Sequence, residues 1–347
     1  MPAAFRTRRV LATSAALVAL LLAVLLSLAV GARPIAPSTV LDALLHGATG
    51  DDAEVVRQLR VPRTLIGLMV GAALALAGTA LQGITRNPIA DPGILGISQG
   101  SSVAVVLAIA FLGVHELSGY VWFAFAGAAL ASVAVYAIAA LGSPLSERSR
   151  GLGEGRGGAT PVKLALGGAA INALLLSVTT GVLTTRASAL DEFRFWQIGS
   201  LDGRDTEIVG QIWPFLLLGT VLVLSVARGL DALALGEDVA KGLGQRVATV
   251  RIVGGLGATV LTGAAVAAAG PVAFVGLAVP HIARAVVGSD HRWVLPMAAL
   301  VGPVMLLTAD VAGRIVFPPG EVPAGVMTAL IGVPFLVTLV RRKAVPA

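Results

Sequence analysis

The sequence predicts an all-α, polytopic integral membrane protein with about ten transmembrane helices, both termini cytoplasmic, and a single transmembrane domain over residues 1–347. Three observations carry that expectation. Hydrophobic residues make up 56% of the chain and charged residues only 13%, more apolar surface than one water-soluble core would bury. Long uncharged runs recur along the chain, each near or above the roughly 20 residues that cross about 30 Å of hydrocarbon as a helix. Lys and Arg concentrate in alternate connections, as topology requires.

Taken in order, the first run, 10–32, follows Arg6, Arg8 and Arg9. Its apolar stretch exceeds the roughly 7 to 15 residues of a signal-peptide core, so it reads as a retained span. Spans at 64–85, 98–114, 117–141, 164–185 and 208–227 follow the next uncharged runs. The run 252–280 is too long for one crossing, and Gly270 and Pro271 break it near the middle, which gives spans at 252–269 and 271–287. Spans at 293–313 and 322–340 complete the set. Parity supports ten over nine, because ten places Arg341, Arg342 and Lys343 on the N-terminal side. On this topology the inside segments hold 17 of 25 Lys and Arg but only 7 of 19 acidic residues.

Gly67 and Gly71 have the GxxxG spacing that lets helix backbones approach. GAALALAG (71–78) and GAAVAAAG (263–270) agree at six of eight positions, as an inverted repeat would and as an Ala- and Gly-rich chain would by coincidence. The glycine-rich connection at 142–163 reads as a flexible cytoplasmic loop and receives no site residue.

Ten spans with small loops point to transport, and several chemistries are excluded. The absence of cysteine removes disulfides and thiolate sites. The four histidines lack ligand spacing, so no metal site is expected. Basic residues lie in short loops rather than in one patch, which speaks for topology and against nucleic acid. No GxxxxGK[ST], GxSxG or HExxH occurs, so no catalytic residue and no cofactor is assigned to this chain. Any ATP and Mg would be bound by a separate ATPase subunit. An ion-coupled secondary transporter usually needs a midplane carboxylate, yet every Asp and Glu lies in a loop or near a span end.

Three loops and one helical face stand out. The segment 229–251 contains ALGEDVAKGLG, a short helix closed by glycine; it is either a docking element or a solvated loop. Arg57, Arg60 and Arg63 precede span two against the prevailing sign of that face. They pair with a partner's carboxylates or with Asp51, Asp52 or Glu54 nearby. Arg314 is a second exception, with Asp310 one helical turn earlier as the local alternative. Ser177, Thr180 and Thr184 share about a 60° arc of span five, suited to lining an aqueous path or to bonding neighbouring helices. The stretch RNPIADPGILGISQG (86–100) cannot be an ordinary membrane helix.

Five ordered blocks together resemble the FecCD-type permeases, the membrane subunits of ABC importers for ferric siderophores, haem and cobalamin. They are RVPRTLIGLMVGAALALAGTALQGITRNPIADPGILGISQGSS (60–102), FRFWQIGSLDGRD (193–205), ALGEDVAKGLG (234–244), AGPVAFVGLAVPHIAR (269–284) and DVAGRIVFPPGEVPAGVMTALIGVPFLVTLVRR (310–342). The resemblance implies a permease subunit in the cell inner membrane. Its partners would be a second permease subunit, two ATP-binding subunits and a periplasmic or lipid-anchored substrate-binding protein. Gly236, Glu237 and Asp238 would then couple to the ATPase. Arg60, Arg63 and Arg314 would dock the binding protein, and Asn87 and Ile89 would form the cytoplasmic gate in a loop shaped by Pro88, Pro92, Gly93 and Gly96. The form NPIADPGILG suggests a ferric siderophore, with haem or cobalamin as the alternative.

Overall fold

The structure is a computed structural model that describes residues 3–31, 34–114, 116–141, 161–318 and 320–344. The connection at 142–163 lies, up to residue 160, outside the described residues. Among the described residues all regular structure is helical. This follows from the solvent: in hydrocarbon a backbone must bond within its own segment, and helices do so.

The helices are α1 (Ala3–Ala29), α2 (Pro37–Leu45), α3 (Asp51–Thr85), α4 (Ile97–Leu112), α5 (Leu117–Leu141), α6 (Pro161–Thr185), α7 (Ala187–Gln197), α8 (Thr206–Ser225), α9 (Ala227–Ala234), α10 (Glu237–Gly242), α11 (Val247–Ala269), α12 (Val275–Val287), α13 (His291–Val316) and α14 (Ala324–Ala344). Seven of them are long and apolar enough to cross a membrane, and α4, α12 and α14 contain shorter apolar helices. The protein is therefore a multi-pass membrane protein.

Helix α3 lies at the centre, against α13 on one side and α11 on the other. Small residues make this possible. A Cβ on Gly71 would sit 2.6 Å from the Cα of Pro303, and one on Gly78 would sit 1.9 Å from the carbonyl oxygen of Gly276. Gly67 likewise faces Leu307. Lipid gives helices no hydrophobic reason to associate, so such backbone contact supplies the dispersion energy instead.

Two elements differ from the sequence expectation. Helix α3 begins at Asp51, not at 64, because a π-helical turn at Val55–Arg60 carries the helix into Pro62. The missing proline N–H falls where the helix has already changed its bonding pattern. Helix α12 begins at Val275, not at 271: Phe274 adopts a left-handed φ of 68°, so the chain from Pro271 to Phe274 is a non-helical connection. The helices α2, α7 and α9 were not foreseen in the sequence.

The fold has two faces. Residues 86–96, α9, α10, His291 and the start of α1 share one, here called the N-terminal face. There Arg8 and Arg9 donate to the last carbonyls of α12, at Ala285 (2.7 Å) and Val287 (3.1 Å). The ends carrying Arg63, Asp202, Asp310 and Glu321 form the opposite face.

Candidate functional site

On the N-terminal face, α3 ends at Arg86, whose φ of 51° turns the chain out of the helix. The loop that follows is held by its own side chains. Asn87 Oδ1 accepts from the Ile89 amide (3.1 Å) and Asp91 Oδ1 from that of Gly93 (2.8 Å). Pro92–Leu95 forms a 3-10 turn and Gly96 closes it at φ 74°, a conformation that glycine adopts without strain. His281 Nε2 lies 2.7 Å from the Pro88 carbonyl and Asn172 Nδ2 donates to that of Gly93 at 3.0 Å, so α12 and α6 clamp the loop from outside. Burial pushes the Asp91 carboxyl up, and the Gly93 amide opposes that shift. Asn87 and Ile89 are exposed at its tip.

Beside this loop, α9 and α10 pack on α11 and α13. Gly236 adopts a φ of 115° at the entry to α10. Glu237 bonds Arg251 of α11 (2.9 Å) and Lys241 one turn on (3.2 Å). Burial alone would raise the Glu237 carboxyl, and the bonds from Arg251 and Lys241 outweigh it and hold it below its ordinary value. Asp238 points to solvent, together with Leu235, Val239 and Leu243, each about half exposed or more. The sequence reading missed these three, although their spacing of four is a helical stripe. Behind them Asp231 of α9 accepts from both the amide (2.8 Å) and Nδ1 (2.6 Å) of His291, at the start of α13.

On the opposite face, Arg63 and Arg314 are brought together on Asp310, which is fully buried, and Arg60 lies near both arginines. Arg63 donates to Asp310 Oδ1 at 2.8 Å, and Arg314 Nε to Oδ2 at 3.0 Å. Arg63 Nη1 also reaches Glu321 (2.8 Å) and Asp202 (3.0 Å). Arg314 donates to the carbonyls of Ser27 and Val30, and Arg60 to that of Leu28. The two arginines thus satisfy carbonyls that the end of α1 leaves without helical donors. Arg57, by contrast, bonds the Ala43 carbonyl (2.7 Å) rather than Asp51, Asp52 or Glu54. Asp310 was foreseen as the local partner of Arg314; its link to Arg63, 247 positions away, has no signal in one sequence.

Ser177, Thr180 and Thr184 are exposed on α6. Their hydroxyls bond the carbonyls of Ala173, Leu176 and Thr180 in the same helix, not a neighbouring one.

A helical bundle with a clamped irregular loop and a short helix pair on one face, and an arginine cluster on the other, has a solved counterpart. An inward-facing metal-chelate type ABC transporter superposes with a TM-score of 0.75 at 30% identity, covering 94% of this chain and 98% of that one. The class is thereby that of the membrane-spanning permeases of ABC transporters. Over residues 19–342 the chain matches the FecCD transport family, and it belongs to that family. Among its relatives is the ferric enterobactin transport system permease protein FepD of Escherichia coli strain K12, 42% identical over 96% of both chains. The siderophore transport system permease protein YfiZ of Bacillus subtilis strain 168 is 39% identical over 84% of this chain and 83% of its own.

Proposed function

We propose that this chain is the permease subunit of an ABC importer that moves a ferric siderophore inward across the cell inner membrane. The observation that carries the reading is the 42% identity, over nearly the whole of both chains, to a ferric enterobactin permease. In this reading ten crossings place both termini and the N-terminal face in the cytoplasm. The chain works beside a second permease subunit, two ATP-binding subunits that hold ATP and Mg, and a substrate-binding protein outside.

Each region then has a task. Gly236, Glu237 and Asp238, with the apolar side chains of Leu235, Val239 and Leu243, meet the ATPase. Movement of α9–α10 is passed on through Asp231 to α13. Asn87 and Ile89, at the tip of the clamped loop, gate the inner mouth, and Ser177, Thr180 and Thr184 face the path between the two permeases. Arg60, Arg63 and Arg314 dock the binding protein: an acidic lobe competes with Asp202 and Glu321 for Arg63, while the other two hold the cluster in place. The buried carboxylate of Asp310 lies between two guanidiniums, an arrangement suited to a fixed structural anion rather than to the proton exchange of an ion-coupled carrier.

The test is uptake of iron-55 ferric siderophore into proteoliposomes that contain the full importer. Uptake should require ATP and binding protein and persist when ion gradients are collapsed by ionophore. Uptake that survives ATP removal but fails with the gradient would overturn the reading.

A further inference from the structure

Pro280 lies inside α12 and has no N–H, so the carbonyl of Gly276, four residues earlier, loses its helical donor. In hydrocarbon such an oxygen needs another one. It faces α3, where Gly78 presents no Cβ to hold it away. Gln82, one turn further along α3 and only 4% exposed, supplies the donor. Its Nε2 lies 3.4 Å from the Gly276 oxygen and 3.3 Å from that of Leu277.

The other end of the same amide is taken as well. Gln82 Oε1 accepts from Arg284 Nη2, in the last turn of α12. A guanidinium only donates, so it fixes which way the amide points, with the oxygen to Arg284 and the nitrogen to the carbonyls. The bonds to the carbonyls are long, and the charge-assisted bond from Arg284 is the stronger member of the chain. A cation in a last turn ordinarily answers its own helix dipole, but this one reaches across to α3. Among the described residues Gln82 is its one hydrogen-bond partner, and no carboxylate pairs with it.

Both residues adjoin the inner loop. Gln82 stands four residues before Arg86, where α3 ends. The ring of Pro92 rests on Gly276, where an added Cβ would meet Pro92 Cδ at 3.1 Å. His281, next to Pro280, holds the Pro88 carbonyl at 2.7 Å. Helix α12 thus touches the loop at Pro88 and Pro92 and, through Gln82, the turn of α3 that leads into it.

We propose that Gln82 and Arg284 are positioning residues for the loop at 86–96. The chain from Arg284 through Gln82 to Gly276 locks the last turn of α3 to α12 and so sets where Asn87 and Ile89 stand. The proposal rests on the reading of those two as the inner gate, and both residues act through the loop rather than on the cargo.

The test is hydrogen exchange of the assembled importer in nanodiscs without ATP, read by mass spectrometry over the loop, whose amides at Ala90, Gly93 and Gly96 are all bonded within it. Gln82→Met and Arg284→Met keep an unbranched side chain but remove the polar chain. Each should speed exchange in the loop about tenfold. The amides of Trp293 and Val294, bonded to the Asp290 carbonyl at the start of α13, should keep their wild-type protection. Arg284→Lys still donates and should bring the loop back to within about twofold of the wild type. Unchanged loop exchange in both Met variants, or no rescue by lysine, would overturn the proposal. Protection lost equally at the start of α13 would also overturn it, by showing that the whole bundle has loosened. The amount of iron-55 ferric siderophore imported per ATP hydrolysed is scored separately in proteoliposomes and should fall in the Met variants. An unchanged ratio beside a loosened loop would keep the positioning role and remove the gate reading.

Discussion

A carboxylate with no solvent exposure is tolerable only when its charge is answered, and Asp310 is answered twice. Removing one member of a buried ionic network leaves the others uncompensated, at about 3–5 kcal/mol. Asp310→Asn keeps the shape but leaves Arg63 and Arg314 to repel each other across a neutral amide. Its midpoint of thermal unfolding in detergent should fall well below that of the wild type, whereas Asp202→Asn, at the exposed rim, should leave it nearly unchanged. Equal midpoints for the two variants would show that Asp310 does not hold the cluster. The three arginines were legible in the sequence because they break the charge trend of their face. Of the carboxylates that receive them, Asp310 was legible only as the helical-turn neighbour of Arg314; that Asp202, Asp310 and Glu321 all meet Arg63 was not, since those contacts arise only through the tertiary fold.

At the scale of elements, α10 is held by little of its own. It has only six residues, too few to persist alone, and Glu237 ties it to α11. The lowered Glu237 carboxyl makes this tie pH-dependent: its contribution is fully present above the ordinary carboxylate range and is lost as pH falls through the lower, folded value. Glu237→Gln mimics the protonated form at neutral pH. Because the group is partly exposed, the pair contributes at most about 1 kcal/mol. Amides bonded within this turn, Ala240 to Gly236 and Leu243 to Val239, should therefore exchange about two- to fivefold faster in the variant. Unchanged exchange would mean that packing, not the ion pair, fixes α10. The glycine-closed helix itself was legible in ALGEDVAKGLG. The start of α3 was not, because a charged π-helical turn looks like a loop to any hydropathy argument, and neither was the late start of α12, which depends on a left-handed Phe274.

At the scale of the whole molecule, the long apolar helices were the most legible feature, because hydrocarbon thickness leaves little choice of helix length; among the described residues seven are long and apolar enough to cross. What a single sequence could only infer from charge is which face meets the cytoplasm. The structure fixes which residues share a face, so the orientation of one residue determines that of the rest. With no cysteine in the chain, single cysteines can report it without background. Lys241 and Arg292 are exposed on the N-terminal face, and Glu116 and Thr206 at the other ends of the helices. In intact spheroplasts an impermeant maleimide should label Glu116→Cys and Thr206→Cys, and should reach Lys241→Cys and Arg292→Cys only after permeabilisation. The positive-inside rule predicts this orientation, since on the ten-span topology its reverse would send 17 of 25 basic residues to the outer side. A mixed pattern within one face would contradict the helix ends themselves, and a clean reversal would place α9 and α10 where no ATPase could reach them.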